Sequence, residues 1–454
     1  MRKILKLLST VLVVINSSIV MVGCRPQTLG EVWIITDGGD LFDKAFNQQV
    51  VEGSEDFAAT FNAHRNQISQ IPGFESWKNR AMRVKWIIAK DSDLSTLQNN
   101  YNIATYSGAK TIICAGFHHI PALSSEVQKV YGNLGIKFIL IDSLVSNPIN
   151  VAGITYAAEQ SSYLAALAGA IWLVANHETY QNNPLKMSTF GATPTDVIVE
   201  NMAGYYWGVS YFNALKDGRD PQILEMINQI RTKKGRQAMT SEALANYNIT
   251  FDKLTNSFSG GFESGTSAVK AVTSQAINDN KNNIVFPVAG AQTTDLISTI
   301  VNSPNNNQAK IIGVDVDQSK QYEQAKDYFL TSALKGINAS VAWMLWNSLD
   351  LKYDKETDQI TFYPDGEKYF NGEIQFSPLK DPEFTGISDN PAISTIYPTL
   401  INSSKYWNLA GQVYDAFKKL ADDLASNSDP KKWENAWKTA IDEKNEKYHP
   451  TWYT

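Results

Sequence analysis

Between residues 34 and 49 the chain reads Ile34-Ile35-Thr36-Asp37-Gly38-Gly39-Asp40-Leu41-Phe42-Asp43-Lys44-Ala45-Phe46-Asn47-Gln48-Gln49. An apolar strand runs through an Asp–Gly turn into a helix. A carboxylate, an amide, an aromatic ring and free backbone N–H groups therefore gather at one strand end. In open α/β sheets small ligands bind outside the carboxyl ends of the strands. A ring offers a stacking face, while Asp37 and Asn47 can exchange hydrogen bonds with a polar edge. That is the chemistry of holding a flat, polar molecule. The same residues also satisfy a plain helix start, with Asp43 as cap and Phe46 in the core.

Bond-making chemistry finds less support. The five histidines, His64, His118, His119, His177 and His449, show no metal-ligand spacing, so no metal site is predicted. No Gly-x-Ser-x-Gly elbow occurs. Gly260-Gly261-Phe262-Glu263-Ser264-Gly265-Thr266-Ser267 has P-loop-like glycines, but Thr266 stands where a phosphate-binding Lys is needed. Asp315-Val316-Asp317 places one carboxylate at a strand end and the other in the turn beyond. The reading is a binding protein without cofactor. Further ligand-reading types recur at strand ends: Gly116-Phe117, Asp142-Ser143, Pro287-Val288-Ala289-Gly290-Ala291, Gly313 to Gln318, and Thr331 to Lys335.

Positioning these residues requires a scaffold of strands and helices. Apolar, β-branched runs predict strands at Val32–Thr36, Val84–Ala89, Thr111–Ala115, Lys137–Asp142, Val151–Tyr156, Ser188–Ala192, Asn283–Ala289 and Lys310–Asp315. Helical patterns fill the gaps at Lys44–Thr60, Leu94–Ser107, Pro121–Tyr131, Gln160–Ala175, Asp196–Leu215, Thr266–Asp279, Thr293–Val301 and Ile337–Leu349. Such alternation implies an α/β fold of parallel sheets covered on both faces. Two sheets suit the length better than one. The small-residue helix near Ala157–Ala175 lies at the crossover and suits a core rather than a membrane span. Residues 217–256 are polar and read as an inserted excursion. Tyr353–Ser377 has a hairpin texture. Ser404–Ser426 and Asp429–Tyr448 read as amphipathic helices that pack across the lobes or cap one.

The ends and composition locate the chain. Arg2, Lys3 and Lys6 precede an apolar run from Leu7 to Val22 that closes on Gly23-Cys24, the pattern of an export signal. Met21-Val22-Gly23-Cys24 resembles a lipobox, which makes Cys24 a lipidated terminus. The other cysteine, Cys114, sits in an apolar run and reads as a buried small hydrophobe. The net charge of −6 and the lack of a basic stripe argue against nucleic acid.

Asp37-Gly-Gly-x-x-x-Asp43-Lys44-x-Phe46-Asn47-Gln48, the Pro-Val-Ala-Gly290 turn, Gly313-Val-Asp315-Val-Asp317-Gln318 and Thr-Ser-x-x-Lys335 together resemble the basic membrane protein (Bmp, PnrA-like) family, the mollicute lipoproteins in particular. The resemblance spans roughly Glu31 to Leu349. It implies a type I periplasmic-binding-protein fold, with two Rossmann-like lobes of parallel sheet joined by a hinge and a C-terminal helical extension. It also implies a nucleoside ligand, an ABC permease partner and tethering to the outer face of the cell membrane through lipid on Cys24. Its family pattern makes Phe46 one ring of an aromatic sandwich and leaves Phe258 or Phe262 as the other. Asp37, Asn47 and Asp142 then read the base, and Gly290, Asp315 and Lys335 hold the ribose. Gly38 stands where many relatives carry Ser, and Phe117 completes the expected lining. The expected divisions are a signal at 1–23, a linker at 24–30, an N-terminal lobe at 31–155 with part of 320–350, a C-terminal lobe at 156–320, and an extension at 351–454. A sugar or other small polar metabolite as ligand, or a surface adhesion role for the C-terminal helices, are the alternative readings.

Overall fold

In the computed structural model the described residues are 27–180, 184–216, 220–304, 306–373, 384–442 and 444–450. The expected signal at 1–23 and the expected lipidation site Cys24 lie outside them. The first lobe is a five-stranded parallel sheet of order β2-β1-β3-β4-β5. Its strands are β1 (Gln27–Thr36), β2 (Arg80–Ile87), β3 (Ala109–Ala115), β4 (Lys137–Ile141) and β5 (Val151–Ile154). Helix α1 (Phe46–Ala63) covers one face, which carries Val32 and Ile34. The helices Leu94–Tyr106 and Ser125–Asn133 cover the other, against Trp33 and Ile35. Opposite parity of neighbouring strand residues thus feeds two separate apolar layers.

The second lobe holds β6 (Leu185–Gly191), β7 (Ile249–Asp252), β8 (Ile284–Val288), β9 (Lys310–Asp315), β10 (Phe329–Lys335) and β13 (Thr385–Ile387), in the order β13-β10-β9-β8-β6-β7. All pairings are parallel except β10 with β13. Helix α2 (Ala158–Ala175) lies under α3 (Asp196–Leu215), and none of its residues is exposed. An Ala-rich helix that is apolar all round is what such a position demands. No described helix is long and apolar enough to cross a membrane.

Three sequence expectations change. Residues 217–256 are not an excursion: the helix Pro221–Lys233 packs into the core and β7 extends the sheet beside β6. The polar loops around these pieces hid a strand of four residues. Of residues 320–350, only α4 (Ile337–Asn347) joins the first lobe, where Ile337, Val341 and Met344 enter its core. Residues 320–335 stay with the second sheet as its β10 approach, so the crossing falls at Gly336. The described residues of 351–454 are divided between the two lobes and do not stand as one extension. The hairpin β11 (Leu351–Asp354) and β12 (Gln359–Phe362) packs on the first lobe. Strand β13, α5 (Ser404–Leu424) and α6 (Lys432–Ala440) complete the second. On α5, Tyr406, Ala410, Val413, Phe417 and Leu420 recur at helical spacing and are buried.

Candidate functional site

Each sheet reverses strand order once, and both reversals face one crevice. In the first lobe the chain leaves β1 for β2 on one side and returns as β3 on the other. The crevice beyond β1 and β3 is the expected ligand position. Asp37 follows β1, and its Oδ2 accepts from the backbone N–H of His118 at 3.0 Å. The same oxygen lies 2.8 Å from His118 Nδ1. Gly116, with φ +120°, makes this possible, because any side chain there would overlap the Asp37 carboxylate. His118 was legible only as a histidine without metal spacing; its position after β3 was the usable signal.

The start of α1 is organised by Asp43. Its carboxylate accepts from the backbone N–H groups of Ala45 at 2.9 Å, Asn47 at 3.0 Å and Gln48 at 3.2 Å. Burial raises its pKa to about 6 against those three donors, and the nearby Asp315 adds to the rise. Phe46 is half-buried against the first lobe's core. Asn47 is 7 % exposed; its Nδ2 donates to Asp40 O at 3.1 Å, and its Oδ1 has no partner within the protein. Gly38 and Gly39 line the turn at positive φ.

From the second lobe, Gly290 follows β8 and meets this same helix start. A methyl group at Gly290 would sit 2.5 Å from the Ala45 methyl, so the two backbones touch across the crevice. Phe258 runs beside the end of β6: Gly191 N–H donates to Ser257 O at 2.8 Å, and Ser259 N–H to Gly191 O at 2.9 Å. Its ring rests on the second lobe's core. Phe262, four residues on, is 36 % exposed and faces Phe117 of the first lobe, with ring centroids 6.3 Å apart.

The strongest tie between the lobes is ionic. Lys335 Nζ, at the end of β10, lies 2.7 Å from Asp142 Oδ2 at the end of β4 and 3.7 Å from Asp315 Oδ1 at the end of β9. All three side chains are nearly inaccessible to water. Burial opposes the Lys335 ammonium, but Asp142, Asp315 and Glu200 outweigh it and raise its pKa. Asp142 and Asp315 both adopt left-handed backbone, with φ +63° and +65°. Such non-glycine strain persists where the surrounding structure holds it, and it concentrates at functional sites. Asp142 was expected beside Asp37; instead it stands two strands away, with Asp315 and Lys335.

Beneath this triad lie two acids that the sequence reading did not assign to the site: Glu159 counted there only as part of the polar start of a core helix, and Glu200 not at all. Glu159 is 2 % exposed and has an Oε1 without a partner. Burial lifts its pKa to about 8, and Lys335 moderates the effect. Glu200 is pushed well above its ordinary value by burial and by Glu159. Both stand near the starts of largely apolar helices, where a polar residue reads as ordinary for a helix start. No group of His, Cys, Asp and Glu side chains among the described residues is arranged for a metal ion. Cys114 is buried, as expected of a small hydrophobe.

Two parallel-sheet lobes that meet at their strand ends, with charged and aromatic side chains between them, have the architecture of solute-binding proteins. Residues 31–215 match the family described as Bmp, ABC transporter substrate-binding protein PnrA-like. It is 23 % identical over 350 residues to the ABC transporter nucleoside-binding protein BmpA of Lactococcus lactis subsp. cremoris (strain MG1363), across 72 % of this chain and 80 % of that one. Its fold is similar to that of an ABC transporter system solute-binding protein from Aeropyrum pernix K1. That match has a TM-score of 0.55 and 15 % identity over 87 % of this chain and 97 % of the other. The matched family is one of ABC transporter substrate-binding proteins, not of enzymes.

Proposed function

We propose that the crevice captures a purine nucleoside at the outer membrane face, on a chain tethered through lipid at Cys24, for delivery to an ABC permease. The observation that carries this reading is the Asp142–Lys335–Asp315 triad. Two buried carboxylates share one ammonium, and this leaves acceptor positions free for a pair of ribose hydroxyls. Lys335 offsets the cost of burying those carboxylates, while Asp315 accepts from the sugar. Asn47 Oδ1, buried without a partner, suits an N–H donor on the base edge, and Asp37 is oriented beside it by His118. A buried acceptor left unpaired costs about 1–3 kcal/mol, so the correct edge is selected by what its absence would cost.

For the sandwich we assign Phe46 and Phe258, which flank the two switch points. Two rings that clasp a base must stand roughly 7 Å apart, twice the ~3.5 Å contact distance of carbon atoms. Phe117 and Phe262, at 6.3 Å and tilted by 55°, already touch one another. They close the mouth. The BmpA relative is named for nucleoside binding, which agrees with this assignment.

Calorimetry of the purified protein with adenosine, guanosine, uridine and glucose tests the reading. Purine nucleosides should bind most tightly, and Phe46→Ala or Asp315→Ala should weaken them about tenfold or more, roughly 1.4 kcal/mol. Heat from glucose with none from any nucleoside would assign the crevice to sugars instead.

A further inference from the structure

We propose that the edge of the first lobe opposite the crevice is a bilayer-docking face formed by Ile103, Tyr106, Val130 and Leu134, with Lys110 and Lys129 beside them. The proposal rests on the anchor at Cys24 put forward above. Strand β1 begins at Gln27, three residue steps beyond Cys24. A fully extended chain covers at most about 3.6 Å per residue, so that lipid would hold the start of β1 within roughly 11 Å of the membrane. Gln27 pairs with Arg80 and Glu31 with Ala109, so the starts of β1, β2 and β3 share this edge.

The helices Leu94–Tyr106 and Ser125–Asn133 bring their carboxyl-terminal ends to the same edge, because each returns the chain to the start of the next strand. There Ile103 is 44 %, Tyr106 90 %, Val130 59 % and Leu134 55 % exposed. Tyr131 Oη donates to Asn102 Oδ1 at 2.8 Å and so holds the two helices side by side. Tyrosine with aliphatic neighbours suits the interfacial zone, where one end of the ring is apolar and the other wet.

Charge points the same way. Lys110 and Lys129 are exposed, while Glu31 of this edge is engaged by Lys85 at 2.8 Å. The exposed acids Asp93 and Glu126 lie at the far, crevice-side ends of the two helices. The local surplus of cations runs against the net charge of −6 and matches anionic headgroups. On the other face of the sheet the β11–β12 hairpin exposes Asp354, Glu356 and Asp358 against Lys352 and Lys355, so it lacks a surplus of cations. The lobe therefore settles on its two-helix face.

The test uses the full chain in liposomes, with p-benzoylphenylalanine in place of Tyr106, Val130 or, as a control, Phe362 on the β11–β12 hairpin. Illumination should give lipid adducts at positions 106 and 130 several-fold above position 362. The excess should be larger with phosphatidylglycerol than with phosphatidylcholine and should be lost in Lys110→Glu/Lys129→Glu. Equal adducts at all three positions would overturn the docking face, as would position 106 reacting with protein, a second copy included. Intact mass of Cys24 and nucleoside titration are read on the same sample. A lipidated, nucleoside-binding protein without adducts refutes the docking face alone, whereas an unmodified Cys24 refutes the anchor beneath it.

Discussion

In the first lobe, the two helices on the Trp33–Ile35 face of the sheet have solvent on their outer sides. In the second lobe, α2 lies beneath α3, α5 and α6, and every one of its residues is buried. The exposed large apolar side chains divide accordingly. Phe42, Trp86, Ile88, Leu94, Ile103, Tyr106, Ile120, Val130, Leu134, Leu144 and Phe362 lie on the first lobe, whereas the second exposes Phe262 and Val301. Helices α5 and α6 thus add an outer layer to the second lobe, while the first receives only the β11–β12 hairpin and its flank. A helix clad on all sides can be apolar throughout, while one with a wet face must stay amphipathic or leave apolar groups for a partner.

The charged tie between the lobes gives the largest effect by which this contrast can be attacked. Lys335→Met leaves Asp142 and Asp315 facing each other without a cation, and breaking a buried pair typically costs about 3–5 kcal/mol. Urea unfolding should show that loss together with the loss of nucleoside binding. An unchanged midpoint would mean that the lobes are held by other contacts. Next, Leu167→Ala inside the clad helix should cost about 2–5 kcal/mol, since no solvent or mobile group can fill the space. Gly204→Ala on α3 should follow at about 1–3 kcal/mol, because the new methyl would overlap the Glu159 backbone where α2 and α3 cross.

A pH dependence belongs to the clad lobe as well. Burial favours the protonated form of Glu159, raised from 4.5 to about 8, so folding binds a proton that the unfolded chain releases. Its contribution is full below about pH 4.5 and is lost as the pH climbs towards 8. Glu159→Gln should flatten the melting temperature across that window, and an identical slope in the variant would refute the assignment. The smallest effect is expected on the bare lobe. Ile103→Ala should stay within about 0.5 kcal/mol in solution, as surface substitutions do. A cost comparable to that of Leu167→Ala would erase the contrast between the two lobes.

Much of this architecture was readable in the chain. Near-continuous apolar runs such as Ile112-Ile113-Cys114 announced parallel strands, and Asp or Gly after them announced the crevice. Strand β7 escaped because it has four residues amid polar loops, and β13 because three residues carry too little periodicity. Glu159 and Glu200 escaped for a different reason. Both stand in largely apolar helices, and nothing local says whether their carboxylates point to water or to Lys335.

The residue types at the strand ends, the apolar leader before Cys24 and the strand–helix alternation are local facts, so the order of residues alone determined them. Which acid meets which cation was decided only when two sheets folded face to face. Asp142 and Lys335 are far apart in the chain, and their 2.7 Å approach depends on the packing of both lobes. The same holds for the cladding of α2. An apolar helix advertises that it will be covered, but the covering segment, more than two hundred residues on, is chosen by shape and buried area rather than by any neighbour in sequence.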